Sequence, residues 1–256
     1  MLQVQKISKM FGGLKAVDQV SFDIKKGSIK ALIGPNGAGK TTMFNIISGN
    51  FAPTEGQVIF EDRAITGRKP HQIAHYGIIR TFQGVKMFDS NGFTVLDNLL
   101  VGYDKRFQAG MLRSSIRSMI SRKEEQEALE EAHRVSGQIG LSDWLHAPAS
   151  ELPCGYQRLL ELARALMAKP RMLLLDEPAA GLNDSETKRL VGVLREIRQM
   201  GITILLVEHH MGLVMEVSDD IVVMNNGKKI AEGSPEDINR NRDVIQAYMG
   251  EEDISA

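Results

Sequence analysis

The feature of the sequence that most restricts its fold is a glycine-rich segment that matches the phosphate-binding pattern G-x-x-x-x-G-K-[ST] at every fixed position. The segment reads Gly34, Pro35, Asn36, Gly37, Ala38, Gly39, Lys40, Thr41, and Thr42 follows it. Glycines let a backbone wrap closely around a phosphate chain with its N–H groups directed inward. Lysine brings a positive charge to the β- and γ-phosphates, and a threonine hydroxyl can bind Mg²⁺. The segment therefore predicts a site for a nucleotide and Mg²⁺.

The residues on either side of this loop have the expected secondary-structure patterns. A short apolar run over residues 30–33 stops at Gly34, as a buried strand does. After the loop, apolar residues at 43, 44, 46 and 47 favour a helix that Gly49 would close. A helix beginning here would direct its positive dipole end and its unpaired N–H groups at the phosphates.

Two acids follow a second apolar run. Residues 172–175 read as a buried strand, and Asp176 and Glu177 come directly after it. Ligands of open α/β sheets bind at the carboxyl ends of strands. A Mg-nucleotide site needs a carboxylate near the metal and a group that polarises the attacking water. We expect Asp176 to contact Mg²⁺ and Glu177 to polarise the water.

The remaining pattern indicates an α/β protein with a mostly parallel sheet. Helical spacing over residues 154–167 and 186–199 alternates with strand runs at 172–175 and 202–207. Residues 221–227 read as a strand that enters a hairpin turn. Between about 84 and 150 helical spacing prevails, which predicts a helical lobe inserted into the core.

Composition excludes several classes of protein. The chain has 256 residues, with 31 Lys and Arg against 32 Asp and Glu, so its near-neutral charge disfavours a nucleic-acid partner. The single cysteine, Cys154, rules out an internal disulfide and fits a reducing compartment. No apolar stretch is long enough to cross a membrane, and no signal-peptide pattern stands at the start. We therefore expect a cytoplasmic protein.

Several further segments, in order and at suitable spacing, resemble those of the ATP-binding cassette (ABC) ATPases. The similar segments are the aromatic Phe11 before Gly12-Gly13, the glutamine loop at Thr81-Phe82-Gln83, the signature at residues 152–158, the D-loop at residues 179–184 and the switch histidine at Glu208-His209. The resemblance implies a P-loop NTPase core with an N-terminal antiparallel β-subdomain and an inserted α-helical subdomain. Within a single domain over 1–256, it places a nucleotide-binding core at 1–83, the helical subdomain at 84–165 and the remaining core and tail at 166–256.

The resemblance also implies that the protein is an ATPase and assigns a role to each matching residue. Phe11 would stack on adenine, and Lys40, Thr41 and Thr42 would contact phosphates and Mg²⁺. Gln83 would sense Mg²⁺ and the attacking water, Glu177 would be the catalytic base, and His209 would bond the γ-phosphate. In this family two cassettes face each other, so Gly155 would donate its backbone N–H to ATP held by a partner cassette.

The signature departs from the family's usual L-S-G-G-Q-Q-R. Pro153 stands in place of serine and supplies neither a hydroxyl nor an N–H, and Tyr156 stands in place of glutamine. Asn183 and His210 also stand where Asp is frequent. One hypothesis is that this half-site is weakened and that turnover depends on the other half-site of a heterodimer. The sequence leaves open whether the dimer is a heterodimer or a homodimer.

The segments at 83–88, 94–99, 174–183, 207–209 and 244–250 are similar to those of the ATPase subunits of branched-chain amino-acid importers. That resemblance implies a peripheral subunit on the cytoplasmic face of the bacterial inner membrane. Its partners would be a second ATPase subunit, two membrane permeases and a periplasmic or extracellular solute-binding protein. Urea and amide importers and lipid-directed exporters share much of the pattern and remain alternatives. The basic run between 105 and 123 either faces the membrane or the permeases, or is a solvated amphipathic helix.

Other classes that use a phosphate-binding loop fit less well. Cassette proteins that act on DNA or ribosomes usually carry two cassettes or a long coiled coil, and this chain has neither. A GTPase would need the guanine-reading N-K-x-D run, which does not occur in the sequence. A nucleotide kinase would explain neither the signature-like segment nor the late histidine.

Overall fold

The strands form two sheets, as the sequence predicts for an α/β core with an added β-subdomain. The computed structural model describes residues 1–81, 92–103 and 122–252. Within these ranges the strands, numbered along the chain, are β1 (Leu2–Phe11), β2 (Leu14–Ile24), β3 (Ile29–Ile33), β4 (Glu55–Phe60), β5 (Arg63–Ala64), β6 (Ile78–Arg80), β7 (Met172–Asp176), β8 (Thr203–Val207), β9 (Asp220–Asn225) and β10 (Lys228–Gly233).

The helices alternate with the strands of the larger sheet and fill the middle of the chain. They are α1 (Lys40–Ile47), α2 (Pro70–His75), α3 (Val95–Tyr103), α4 (Arg122–Gln138), α5 (Cys154–Met167), α6 (Asp184–Gln199), α7 (Met211–Val217), α8 (Pro235–Asn239) and α9 (Arg242–Glu252). None of the helices in the described ranges is both long and apolar enough to span a bilayer.

The larger sheet has the order β10-β9-β3-β8-β7-β6 and is parallel except for β10. β10 turns back antiparallel to β9 through Asn226 and Gly227, whose φ values of 47° and 78° suit the tight hairpin turn that the sequence predicts. The smaller sheet, ordered β2-β1-β4-β5, is antiparallel throughout. Both the mostly parallel core sheet and the antiparallel β-subdomain are therefore confirmed.

The larger sheet is buried on both faces, which explains why its central strands read as continuous apolar runs. All five residues of β3, β7 and β8 are buried. Successive side chains of β7 enter two different cores: Leu173 and Leu175 pack with α3 to α7, and Met172 and Leu174 pack with α1 and the smaller sheet. The two cores hold the sheet rigidly between layers, so the loops at its edge have a fixed base.

The helical middle is confirmed for its described part. Residues 94–103 dock on the segment before the signature, because Thr94 pairs with Pro148 and the N–H of Val95 donates to the carbonyl of Ala147 at 3.0 Å. α5 spans residues 154–167, as its spacing predicts, and α6 begins at Asp184, two residues before the predicted start. Asn183 explains that difference, since its side chain caps α6 by accepting the Glu186 N–H. Most of the basic run between 105 and 123 lies outside the described residues.

Candidate active site

Three segments with predicted site residues leave the larger sheet side by side. The phosphate-binding loop follows β3, Glu208 and His209 follow β8, and Asp176 ends β7. β8 lies between the other two strands, and its last residue, Val207, is level with Leu32 of β3 and with Asp176 of β7. The parallel register therefore brings residues that are far apart in sequence to one edge of the sheet.

Two glycines give the phosphate-binding loop its close turns. Gly34 has φ 146°, and a Cβ built there would lie 2.0 Å from the carbonyl oxygen of Met224. Gly39 has φ 99°, and its Cβ would lie 2.5 Å from the carbonyl oxygen of Ala16. The loop is thus pressed against neighbouring backbone at both ends, where a side chain has no room. Such a backbone cradle fits a phosphate chain.

Lys40 begins α1 and closes the loop. Its ammonium is buried and donates to the carbonyl oxygens of Gly34 at 2.6 Å and Pro35 at 2.8 Å. Gly39, the residue before α1, gives no side-chain cap to the first-turn N–H groups, which is the arrangement found where a helix end receives an anion. In the same loop and first turn, Asn36, Gly37 and Thr41 are exposed, Thr42 is half-buried and Ala38 is buried.

Asp176 has a partner that the sequence analysis missed. Its Oδ2 accepts a hydrogen bond from a guanidinium N–H of Arg80 at 2.9 Å. The other terminal nitrogen of the Arg80 guanidinium, Nη1, donates to Asn45 Oδ1 at 2.6 Å and to Ser48 Oγ at 3.0 Å, which joins β6 and β7 to α1 and its C-terminal end. The signal that could have found Arg80 is its position one residue before the glutamine-loop segment, in a strand adjacent to β7.

Glu177 and His209 contact each other directly. Nε2 of His209 lies 2.8 Å from Oε1 of Glu177. Glu177 has φ 50°, a left-handed backbone that a non-glycine residue adopts at a cost of about 1–3 kcal/mol. The N–H of Glu177 donates to the carbonyl of Val207 at 2.8 Å, so β8 fixes this strained turn. The geometry can hold a water-activating carboxylate in place against an imidazole.

Gly155 lies beside the segment that resembles the D-loop. Its backbone N–H donates to Glu186 Oε1 at 3.0 Å, and the other oxygen of Glu186 accepts from the Asn183 N–H at 3.0 Å. The N–H that the resemblance directs at a partner's phosphate is therefore held by a carboxylate of its own chain. Pro153 is the residue immediately before α5, where proline's missing N–H costs nothing.

Two further residues that the sequence analysis singles out, Tyr156 and Phe11, are aromatic. Tyr156 packs between Trp144, at a ring distance of 5.3 Å, and the guanidinium of Arg189, at 4.6 Å. Phe11, at the end of β1, is 42% exposed and forms an edge-to-face pair with Phe51 at 5.4 Å. The ammonium of Lys9 lies 5.1 Å from the centroid of the Phe11 ring, and the exposed part of this ring is the kind of surface that stacking on a base requires. Gln83 lies outside the described residues.

The donor set fits Mg²⁺ bound through a nucleotide. Mg²⁺ takes oxygen ligands and is usually held by one or two protein groups together with substrate phosphates. The hydroxyl of the exposed residue Thr41 and the carboxylate of Asp176 are such groups, and they belong to segments at one edge of the sheet, with β8 between β3 and β7. Within residues 1–81, 92–103 and 122–252 no cluster of three or more His, Cys, Asp or Glu could hold a metal alone, and this mode of binding needs none.

Comparison with known protein families gives two matches on this chain. A family described as ABC transporter matches residues 17–180, and a second, described as branched-chain amino acid ATP-binding cassette transporter, matches residues 228–254. The first match spans the phosphate-binding loop, the signature, Asp176 and Glu177. The second covers β10 and the helices after it.

Curated relatives and solved structures extend the likeness to almost the whole chain. The high-affinity branched-chain amino acid transport ATP-binding protein LivG of Escherichia coli is 44% identical and is aligned over 98% of both chains. BraF of Pseudomonas aeruginosa, with the same description, is 42% identical over 98% of both chains. The crystal structure of the ADP conformation of an ATP-binding cassette of an ABC transporter superposes with a TM-score of 0.85, at 35% identity and 98% coverage of both chains.

Proposed function

The chain belongs to the ABC transporter family of ATP-binding proteins and hydrolyses ATP, and we propose that it powers the import of branched-chain amino acids through partner permeases. The likeness to LivG and BraF over nearly the full length supports this solute class, as does the family match over residues 228–254. The 2.8 Å contact between Glu177 and His209, which follow the adjacent strands β7 and β8 at the sheet edge that also carries the phosphate-binding loop, is the observation that best supports the site assignment.

In the proposed reaction the protein binds the phosphates of ATP through backbone N–H groups and through the positive charge of Lys40. The turns at Gly34 and Gly39 direct the loop N–H groups and the N-terminal end of α1 at the phosphates. Lys40 gives up its hydrogen bonds to the loop carbonyls and bonds the β- and γ-phosphate oxygens instead. Phe11 stacks on the adenine ring. A Mg²⁺ ion held by Thr41 and Asp176, with Gln83 as a further ligand, would neutralise charge that develops on the phosphates.

Glu177 then accepts a proton from water as the water oxygen bonds to the γ-phosphorus and the bond to ADP breaks. His209, which contacts Glu177 in this structure, holds the carboxylate and donates a hydrogen bond toward the γ-phosphate. Because neutral imidazole has one N–H, contact with both groups requires the protonated ring or a change of partner. Gly155 completes the ATP site of a second cassette after its N–H leaves Glu186.

We propose the partners and location that the relatives' descriptions suggest. The chain would lie peripherally on the cytoplasmic face of the cell membrane, with a second cassette, two permease subunits and an external solute-binding protein, and without nucleic acid. We also propose that residues 84–165 form a helical subdomain and that residues 1–83 and 166–256 form the nucleotide-binding core. The near-neutral charge of the chain is consistent with the absence of a nucleic-acid partner.

The site assignment is tested by Glu177→Gln, which keeps the size of the side chain but removes the base. We expect hydrolysis to fall by about a hundredfold or more while ATP still binds, because general-base catalysis typically contributes 10²–10⁴-fold. Glu216→Gln is the matched control, since Glu216 is exposed and pairs with Arg195 on the surface. Unchanged hydrolysis by the Glu177 variant would refute the assignment.

The transport assignment is tested by purifying the chain with its partners from solubilised membranes and reconstituting the complex in vesicles. We expect permease subunits to co-purify and labelled leucine to enter the vesicles in proportion to ATP hydrolysed. Urea serves as the comparison solute. Uptake of urea without leucine would refute the amino-acid assignment, and purification without any membrane subunit would refute a transport role.

A further inference from the structure

Glu208 is a buried carboxylate at the end of β8 to which the sequence analysis assigns no role of its own. Its side chain lies between the loop after β7 and the loop after β8, and the residue is only 3% exposed. One oxygen, Oε1, accepts from the backbone N–H of Ala179 at 2.7 Å. The other, Oε2, accepts from the N–H groups of His209 at 2.9 Å and His210 at 3.0 Å.

These three bonds tie together the two loops that hold Glu177 and His209. Ala179 is two residues after Glu177, and the bond from its N–H to Glu208 reaches across 29 positions of the sequence. His209 is bonded at its own backbone N–H, and its ring lies 2.8 Å from Glu177. Glu208 therefore fixes the backbone on both sides of the Glu177–His209 contact through bonds to backbone N–H groups.

The charge and the burial of the Glu208 carboxylate strengthen the hydrogen bonds by which it connects the two loops. A carboxylate accepts hydrogen bonds from N–H groups about twice as strongly as a neutral oxygen does. An amide in its place has only one acceptor oxygen, so at least one of the two loops would face an N–H group instead. Glu177 has a strained backbone with φ 50°, and such a turn persists only where its surroundings hold it.

We propose that Glu208 is a positioning residue for ATP hydrolysis, which sets the distance between Glu177 and His209 by anchoring both of their loops. This inference rests on the proposed catalytic role of Glu177. In this role Glu208 acts through the two loops and needs no contact with ATP or with the attacking water. A change at Glu208 therefore lowers turnover and leaves ATP binding at the phosphate-binding loop unaltered, because displacing reacting groups by about 1 Å can cost a hundredfold in rate.

The test compares Glu208→Gln, Glu208→Asp, Glu177→Gln and the exposed control Glu216→Gln in the full-length chain, by kcat and KM for ATP. We expect Glu208→Gln to lower kcat by about ten- to a hundredfold with KM within about twofold of wild type. Glu208→Asp keeps the charge but is too short to reach both loops, so an intermediate kcat is expected. Glu216→Gln should match wild type in both constants.

The proposed roles of Glu208 and Glu177 are refuted by different results. Wild-type kcat for Glu208→Gln beside a strongly impaired Glu177→Gln would overturn the role of Glu208 alone. Wild-type kcat for Glu177→Gln would overturn both. An equal rise in KM and fall in kcat for Glu208→Gln would indicate a general structural role and would also overturn the inference.

A measurement on the unaltered chain tests the anchoring of the two loops if the variants do not fold. Amide hydrogen exchange of Ala179, His209 and His210 in wild type should be strongly protected, because all three N–H groups are bonded to one buried carboxylate. Exchange as fast as that of exposed amides such as Gly181 would show that Glu208 does not anchor these loops.

Discussion

Replacing Arg80 with methionine tests whether the ion pair beneath the active site stabilises the protein. Arg80 and Asp176 are 13% and 4% exposed at their side chains and lie 2.9 Å apart. Methionine keeps much of the apolar contact with the ring of Phe44, which the guanidinium approaches to 4.8 Å. The substitution therefore removes the charge and the hydrogen bonds and leaves most of the packing.

The expected cost is about 3–5 kcal/mol in the free energy of unfolding, the usual result when one partner of a buried ion pair is removed. Asp176 is left as a buried carboxylate without its Arg80 bond. The lost bonds to Asn45 and Ser48 add little, because the amide of Asn50 already lies 3.4 Å from Asn45 Oδ1 and 3.1 Å from Ser48 Oγ. Most of the lost stability therefore comes from leaving the Asp176 carboxylate buried without its ion-pair partner.

The assay is urea unfolding of the full-length chain without nucleotide, followed by circular dichroism and extrapolated linearly to water. Arg195→Met is the matched control, since Arg195 pairs with Glu216 at the surface and such pairs contribute about 1 kcal/mol or less. In an Asp176→Asn background, Arg80→Met should cost about 2 kcal/mol less than in wild type. A cost no larger than that of Arg195→Met, or an equal cost in both backgrounds, would refute the reasoning.

Two further predictions concern the phosphate-binding loop and acid stability. Gly34→Ala should lower the free energy of unfolding, measured with urea, by about 2–4 kcal/mol, since its Cβ would lie 2.0 Å from a carbonyl oxygen. Gly37→Ala should lower it by only about 1 kcal/mol, because Gly37 has φ 76° but open space around its Cβ position. Equal losses for the two variants would contradict the close backbone packing proposed for Gly34. For Glu232, partial burial raises the pKa, but bonds to Lys229 and Lys30 outweigh it and lower the pKa below 4.5. This carboxylate therefore stabilises the fold above about pH 4.5 and loses that effect as pH falls through its lowered pKa, so the stability gap between wild type and Glu232→Gln should narrow from pH 7 to pH 3 in urea titrations. If the difference in unfolding free energy between wild type and Glu232→Gln did not change with pH, ionised Glu232 would not stabilise the fold more than its neutral form does.

Local patterns in the sequence predict most of the elements that position the site. Helix α5 has the predicted extent and strand β7 is one residue longer than predicted, since a buried apolar run and a helical apolar face each have one dominant interpretation. The hairpin at Asn226-Gly227 is also local, because two adjacent residues with positive φ specify it. These features need no knowledge of the rest of the chain.

Polar partners from distant segments could not be predicted in this way. The Arg80–Asp176 bond joins residues 96 positions apart, and no periodicity relates them. Likewise, the family resemblance gives Gly155 a role, but nothing in the sequence around it indicates that Glu186, 31 positions later, accepts its N–H. Both contacts depend on which strands and helices become neighbours.

The order of the strands in the larger sheet determines which polar residues meet at the edge that carries the candidate active site. β8 follows β7 in the chain but lies between β7 and β3 in the sheet. This order sets His209 beside Glu177, 32 positions earlier, and sets Glu208 where its carboxylate reaches the loop after β7. If β8 were instead an outer strand, the same local patterns would still predict every element, but the base and the histidine would lie at least one strand spacing, about 4.8 Å, farther apart. The catalytic arrangement therefore depends on long-range packing of the apolar runs, and the polar residues at their ends follow from it.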